Sequence, residues 1–379
     1  MSPKPKIGII TSFMPPHLGG LEVLAENLFH AYREAGCEVR WVASREPATT
    51  PSFNDGRIRV SCCNWSERWL GVPWPVWGPQ GWRQISQVVH WADILHIHDC
   101  LYMGNIIAAV LARKAHKPCI LSQHIGFITY RSRILNAIEN LAYRTVGRAV
   151  IRLVSHVIFC TPPVEEFIRE FLGISPNNAT IIPYGIDIER YHPPTSEERA
   201  LARQSLGLQN GPKVVLFVGR LVEKKGVDLF LEVVRGRPDL HFLMVGDGPL
   251  RPPVLENLTW FPYIFQDRMQ LVYQAADVFL LPSHGEGFPV AVHEALATGL
   301  PVLVSKGEPF TAILAQGKAG LPVERLAASF SEALTQVFEI PGLAVSLGKN
   351  GRELVAQKWS TQLMGNRYLR VIGSLTRKE

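Results

Sequence analysis

Short apolar runs separated by amphipathic stretches set the rhythm of the chain. Residues 6–12, with Ile7, Ile9 and Ile10, predict a strand, 20–35 a helix, and 39–43 a second strand. Compact apolar runs bounded by turn formers suit strands, and apolar positions recurring every three or four residues suit helices. The rhythm then breaks. From Asn64 to Trp91 the chain holds six tryptophans (65, 69, 74, 77, 82 and 91) with Pro73, Pro75 and Pro79, which reads as a long ordered loop. Loops of that length inside compact domains usually serve function.

The alternation resumes with predicted strands at 94–98, 119–124, 156–160 and 180–182, and predicted helices at 104–115, 134–153 and 163–172. Pro193 and Pro194 open a polar connection, after which strands are expected at Val214–Val218, 242–245, Val278–Leu281 and 301–304. Alternating strands and helices imply parallel sheets covered on both faces. The expected fold is therefore α/β, with two tandem Rossmann-like domains facing across a cleft, the first spanning 1–190 and the second 191–360. Residues 361–379 predict an amphipathic helix that can pack on either domain and is assigned to the first.

Length agrees, since 379 residues exceed what one hydrophobic core usually serves. Hydrophobic residues make up 47% and charged residues 19%, a balance that excludes a disordered chain. The six cysteines (37, 62, 63, 100, 119 and 160) show no zinc-ligand spacing and suit free thiols in a reducing cytosol. The apolar run at Ile7-Gly8-Ile9-Ile10 is shorter than a signal-peptide core, and no run reaches membrane-spanning length. A cytoplasmic protein is expected, with any membrane contact confined to the surface.

Ligands of open parallel sheets bind beyond the C-terminal strand ends, so the turns there matter most. Gly19 and Gly20 follow the first strand and open a helix whose N–H groups suit an anion, although paired glycines also serve ordinary tight turns. After Val214–Val218 come Arg220 and Lys225, a fork and a compact charge that together suit a diphosphate. A solvated basic turn is the plainer alternative. Gly246-Asp247-Gly248 follows the next strand and offers a close backbone approach to a nucleotide. The turn after Val278–Leu281 is the most loaded, running Pro282-Ser283-His284-Gly285-Glu286-Gly287-Phe288-Pro289 into a helix that carries Glu294. Pro289 suits the first helical position, and Gly299 with Pro301 closes the helix. Carboxylates accept hydrogen bonds from vicinal hydroxyls, so Glu286 and Glu294 suit a sugar and a ribose. His124 ends its strand and is expected to project into the crevice, with a satisfied structural histidine as the plainer alternative, and His98 and Asp99, as strand neighbours, read as architecture.

With these residues, the sequence resembles the large retaining glycosyltransferase family numbered four, also called group 1, whose two-domain fold is GT-B. The resemblance spans nearly the whole chain. It rests on Gly19-Gly20-Leu21-Glu22, the strand at 93–98, His124, Ile182-Pro183-Tyr184-Gly185-Ile186-Asp187, Arg220 with Lys225-Gly226, Gly246-Asp247-Gly248, and glutamates 286 and 294. It implies that Arg220 and Lys225 bind the donor diphosphate, Glu286 the donor sugar and Glu294 the ribose. Gly246, Asp247, Gly287 and Phe288 would complete the donor site. It further implies that Gly19 and Gly20 close over the phosphates and that His124 contacts donor sugar or acceptor. Transfer would retain the anomeric configuration by front-face attack, with a nucleoside-diphosphate sugar as co-substrate, no cofactor and no metal. The stretch between Gly248 and Gln266 is shorter than usual for the family, Pro289 replaces a frequent glycine, and 307–322 is abbreviated. Nucleobase and donor sugar therefore stay open.

The net charge is +6, and location decides its meaning. Residues 131–152 hold five arginines (131, 133, 144, 148 and 152) against Glu139 alone. This segment resembles the basic amphipathic helix by which relatives rest on anionic membranes, with Arg131, Arg144 and Arg148 as the charged contacts. Its apolar residues Ile134, Leu135, Ile138, Leu141, Ala142 and Val146 serve equally well as a core-facing stripe. Trp74 and Trp77 are candidates for stacking on an acceptor, which would be a glycan or glycolipid, or for filling the domain's core. No nucleic-acid partner is expected. A same-fold sugar-nucleotide epimerase or hydrolase, and a non-catalytic sugar-nucleotide-binding component, stay as alternatives. Dinucleotide redox chemistry is disfavoured because no Gly-x-Gly-x-x-Gly follows the first strand.

Overall fold

The computed structural model describes residues 4–377 apart from 16–19, 45–54, 64–73, 127–132, 176–177, 210 and 287. Gly19, Gly287 and Arg131 thus lie outside the described residues. Contacts divide the chain into two units, Met1–Gly185 with Thr361–Glu379, and Ile186–Ser360.

The first unit runs β1 (Lys6–Ile10), α1 (Gly20–Glu34), β2 (Glu38–Ser44), β3 (Arg57–Val60), β4 (Cys62–Cys63), β5 (Val76–Trp77), α2 (Pro79–Trp91), β6 (Ile94–His98), α3 (Met103–Lys114) and β7 (Cys119–Gln123). It continues through α4 (Arg133–Ala142), a π-helical turn at Tyr143–Gly147, α5 (Arg148–Leu153), β8 (His156–Phe159), α6 (Pro162–Phe171) and β9 (Ala179–Ile181). Seven strands form one parallel sheet in the order β3-β2-β1-β6-β7-β8-β9, and β4 and β5 form a separate antiparallel pair.

Strand alternation sends side chains to two faces, and each face has its own core. Ile7, Ile9, Ile94, Ile120 and Ile158 pack with Phe29 and Tyr32 of α1, while Ile10, Leu95, Ile97, Leu121 and Val157 pack with Val88, Ala109 and Val150. Each large apolar side chain fully buried this way contributes about 1.5–3 kcal/mol.

The second unit holds α7 (Ser196–Ser205), β10 (Val214–Val218), α8 (Val227–Gly236), β11 (His241–Val245), β12 (Leu258–Phe261), α9 (Met269–Ala275), β13 (Val278–Leu281), α10 (Val290–Ala297), β14 (Val302–Ser305), α11 (Thr311–Gln316), β15 (Leu321–Val323), α12 (Ala327–Glu339) and α13 (Leu343–Lys358). Its six parallel strands run β12-β11-β10-β13-β14-β15, so the order reverses between β10 and β13. Ligands favour such a reversal point. The closing helix α14 (Thr361–Thr376) belongs to the first unit, where Met364, Tyr368 and Ile372 are buried with Ile7 and Tyr32.

The structure corrects several expectations. Residues 79–91, expected within a loop, form α2, because Pro79 sits at the helix start and Ile85, Val88 and Val89 make a buried stripe. The tryptophans and prolines around that stripe mask its period. Strands β3, β12 and β15 were not anticipated; all three lie at sheet edges, where burial is partial and the hydrophobic signal weak. Pro322 inside β15 is tolerated because an edge strand needs only one ladder. Pro289 precedes α10 as its cap instead of occupying the first helical position.

Candidate active site

In the second unit, four loops at the C-terminal strand ends interlock. The loop after β10 presents Arg220, exposed at the strand exit, and Lys225 in a 3-10 turn that leads into α8. Leu221 N–H donates to Asp247 O at 2.9 Å and Leu250 N–H to Leu221 O at 3.1 Å, joining this loop to the one after β11. His284 N–H donates to Lys224 O at 2.9 Å, joining it to the loop after β13. Two glycines permit the approach. A Cβ at Gly246, whose φ is +141°, would lie 1.9 Å from Gly219 O, and one at Gly226, with φ +71°, would lie 2.2 Å from Pro282 O. Only glycine fits either position. The small residues at 246–248 thus admit the neighbouring loop.

The loop after β13 brings Glu286 to Lys225, with Nζ 2.9 Å from Oε1 and the side chains 20% and 11% exposed. Glu286 is therefore held by a cation that approaches from the turn after β10. The same loop is held from behind by Glu308, a residue with no role in the sequence-based site. Its Oε1 accepts Gly285 N–H at 2.7 Å and its Oε2 accepts Glu286 N–H at 2.6 Å. Arg325 Nε donates to Pro282 O at 3.2 Å. A glutamate three residues after β14, next to Pro309, was the available signal, but only the fold brings it under Gly285.

The other expected donor residues are distributed more widely. Glu294 is buried in α10 and accepts the Tyr273 hydroxyl at 2.6 Å. Burial pushes its carboxyl above the ordinary value, while hydrogen bonds from Tyr273 and Tyr191 oppose the rise. Phe288 stacks on Phe310 at 4.8 Å and meets Trp359 edge-on at 4.7 Å, so its ring packs the loop onto the unit's core. Asp247 points outward and pairs with Arg251 at 2.6 Å while accepting Gly248 N–H at 2.8 Å. The loop that carries Arg220 and Lys225 thus meets the loops at 246–248 and 282–286, with Lys225 paired to Glu286.

In the first unit His124, at the end of β7, lies in a buried cluster. Its Nε2 faces His98 Nδ1 at 2.9 Å, and its Nδ1 faces the Tyr184 hydroxyl and the Cys160 thiol, each at 3.1 Å. Asp99 causes this placement: its Oδ1 accepts His124 N–H at 2.8 Å and its backbone has φ 64°. Asn105 Nδ2 donates to Asp99 O at 2.9 Å and also to His98 O, fixing the turn. Burial lowers His96 and His124 to about 3, drives His98 well below its ordinary value, and raises Asp99 to about 7. His98 and Asp99, read as architecture, are the direct partners of His124. Gly20 is the first residue of α1.

Trp77 is buried and its Nε1 donates to Ser44 Oγ at 2.7 Å, so it is a core residue; Trp74 is 37% exposed. On α4 and the following turn, Ile134, Ile138, Leu141 and Val146 are exposed while Arg144 lies over the Phe171 ring at 5.1 Å. Those apolar residues do not form the alternative core-facing stripe. Arg148 is half-buried. No helix among the described residues is long and apolar enough to cross a membrane. All six cysteines are free thiols. Among the described residues no group of three or more His, Cys, Asp or Glu is arranged to hold a metal ion.

Residues 18–190 match the family described as Glycosyltransferase Family 4, and 198–354 the one described as Glycosyl transferases group 1. The chain is 30% identical to the GDP-mannose-dependent monoacylated alpha-(1-6)-phosphatidylinositol monomannoside mannosyltransferase of Corynebacterium glutamicum, over 99% of each chain. It is 26% identical to the alpha-monoglucosyldiacylglycerol synthase of Acholeplasma laidlawii, over 83% of this chain and 84% of that one. Among solved structures, the sucrose-phosphate synthase of Thermosynechococcus elongatus superposes with a TM-score of 0.74 at 19% identity, covering 98% of this chain and 99% of that one. Two parallel α/β units, the interlocked basic and acidic loops and full-length similarity agree: the chain belongs to glycosyltransferase family 4, the group 1 glycosyl transferases, and has the GT-B fold.

Proposed function

We propose that this glycosyltransferase moves a sugar from a nucleoside-diphosphate sugar to a hydroxyl of a lipid-linked or glycolipid acceptor, with retention at the anomeric carbon. The observation that carries the donor half is the 2.9 Å pairing of Lys225 with Glu286, on the loop that also carries the exposed Arg220. An ammonium and a guanidinium there neutralise a departing diphosphate, and a carboxylate beside them accepts hydrogen bonds from sugar hydroxyls. Glu294, buried beneath, is assigned to the ribose, and His124 to contact with donor sugar or acceptor. Charge stabilisation and positioning then supply most of the rate, with the leaving phosphate oxygen taking the acceptor proton and no metal required.

The acceptor half is supported by two relatives whose names specify a phosphatidylinositol mannoside and a diacylglycerol glycolipid. Exposed Ile134, Ile138 and Leu141 with Arg144 fit a helix that lies on an anionic membrane, on its cytoplasmic face. A thermal-shift screen over uridine, guanosine and adenosine diphosphate sugars identifies the donor, because bound ligand raises the unfolding temperature. Transfer to a glycolipid acceptor is then followed by NMR of the new anomeric centre. An inverted product overturns retention, release of free sugar without transfer overturns the acceptor assignment, and loss of activity in chelator overturns metal independence.

A further inference from the structure

We propose that Glu308 is a positioning residue for sugar recognition: its carboxylate sets the backbone of Gly285 and Glu286 so that the Glu286 side chain meets the donor sugar. This rests on the reading of Glu286 as the sugar-binding carboxylate. Glu308 uses both oxygens on consecutive amides, 2.7 Å from Gly285 N and 2.6 Å from Glu286 N, and is nine-tenths buried while doing so. Its own backbone is fixed in turn, since Glu308 O accepts both the amide and the hydroxyl of Thr311 at the start of α11, at 3.0 and 2.7 Å.

The Glu286 backbone is thus held by Glu308 from one side and its carboxylate by Lys225 from the other, at 2.9 Å. Nothing else among the described contacts fixes the Glu286 amide, whereas Pro282 and His284 have their own ties to Arg325 and Lys224. A carboxylate that accepts one amide on each oxygen makes charge-assisted bonds, roughly twice as strong as neutral ones. Glu308 therefore acts on the backbone that carries Glu286, and among the described contacts it makes no hydrogen bond or ion pair of its own with the Arg220 and Lys225 groups assigned to the diphosphate.

That separation is the test. Glu308→Gln keeps the shape and one acceptor but turns an N–H₂ toward an amide N–H, so one bond is lost. Binding is measured calorimetrically on the full-length protein with GDP-mannose against GDP and with UDP-glucose against UDP, using whichever pair the native enzyme turns over. Glu308→Gln is expected to weaken the sugar nucleotide by roughly ten- to a hundredfold while the parent diphosphate changes less than about twofold. Equal weakening of both ligands, or of neither, overturns the proposal. Should Glu308→Gln fail to fold, Glu308→Asp, which keeps the charge and shortens the reach, is read by the same ratio. Glu286→Ala in parallel separates the two ideas: if it leaves sugar-nucleotide affinity and turnover intact, the reading of Glu286 fails, and if it alone abolishes them, only the role of Glu308 fails.

Discussion

Lys225 Nζ lies 2.9 Å from Glu286 Oε1, joining the turn after β10 to the turn after β13 at the point where the strand order reverses. The two residues are distant in sequence, and each is brought to the other by a strand whose C-terminal end opens on the same edge. Each partner is three-quarters or more buried, so the pair is screened less than a surface contact and has a fixed direction.

Removal of either partner is expected to abolish the chemistry while sparing the fold. Lys225→Ala and Glu286→Ala should each lower turnover by about a hundredfold or more, the range seen when one preorganised charge-stabilising group is deleted. Initial rates with a saturating donor, together with circular dichroism, check this. Near-normal transfer by both variants would sink the assignment.

Acid should destabilise the protein through its histidine cluster. His96, His98 and His124 all have folded values below their ordinary 6.5, so each contributes stability that is complete above about pH 6.5 and is lost as pH falls. Asp99 acts with the opposite sign, because its folded value near 7 exceeds the ordinary 3.8 and the folded state holds its proton more firmly. Between about pH 4 and 6.5 the unfolded chain binds three protons at the histidines where the folded one binds one at Asp99, a net uptake of two on unfolding. Stability should then fall by about 1.4 kcal/mol per pH unit for each. Urea midpoints at about pH 7 and pH 5.5 measure it. A flat profile would show that the cluster is not held neutral.

Asp277 is expected to matter for stability and not for chemistry. Its carboxylate meets Arg203 at 2.7 Å and Arg199 at 3.0 Å and accepts Val214 N–H at 2.8 Å, at the strand ends away from the loaded turns. Arg203 is nine-tenths buried and would be left without its countercharge. Asp277→Ala should cost about 3 kcal/mol in urea denaturation, with unchanged KM at temperatures where the variant is folded. A loss below about 0.5 kcal/mol would mean that solvent already screens the cluster.

Sedimentation with anionic liposomes tests the exposed face of α4. Replacing Arg144 and Arg148 together by Glu should reduce binding by about tenfold or more, since each basic residue near an anionic surface contributes about 1 kcal/mol. Replacing Ile134 and Leu141 by Glu should do the same without touching any arginine. Binding unaffected by both pairs removes the membrane reading.

Much of the architecture was legible because parallel strands buried on both faces leave continuous apolar runs, as in Val214–Val218 and Val278–Leu281. The edge strands β3, β12 and β15 left no such run, and the period of α2 was hidden among tryptophans and prolines. Arg220, Lys225, Glu286 and Glu294 were readable from spacing within their own turns. Glu308 was not, since a carboxylate that caps amides more than twenty residues earlier has no local pattern.

Sequence alone determined that the chain is an α/β protein whose loaded turns follow its strands, because hydrophobic period and turn composition are local properties. The tertiary structure alone decided which groups meet. It set Gly246 and Gly226 against neighbouring loops, packed Phe288 into an aromatic stack, and drew His124 into contact with His98 through the amide captured by Asp99. Each depends on the approach of segments remote in sequence, and that approach is set by sheet order and loop packing, which no run of neighbouring residues encodes.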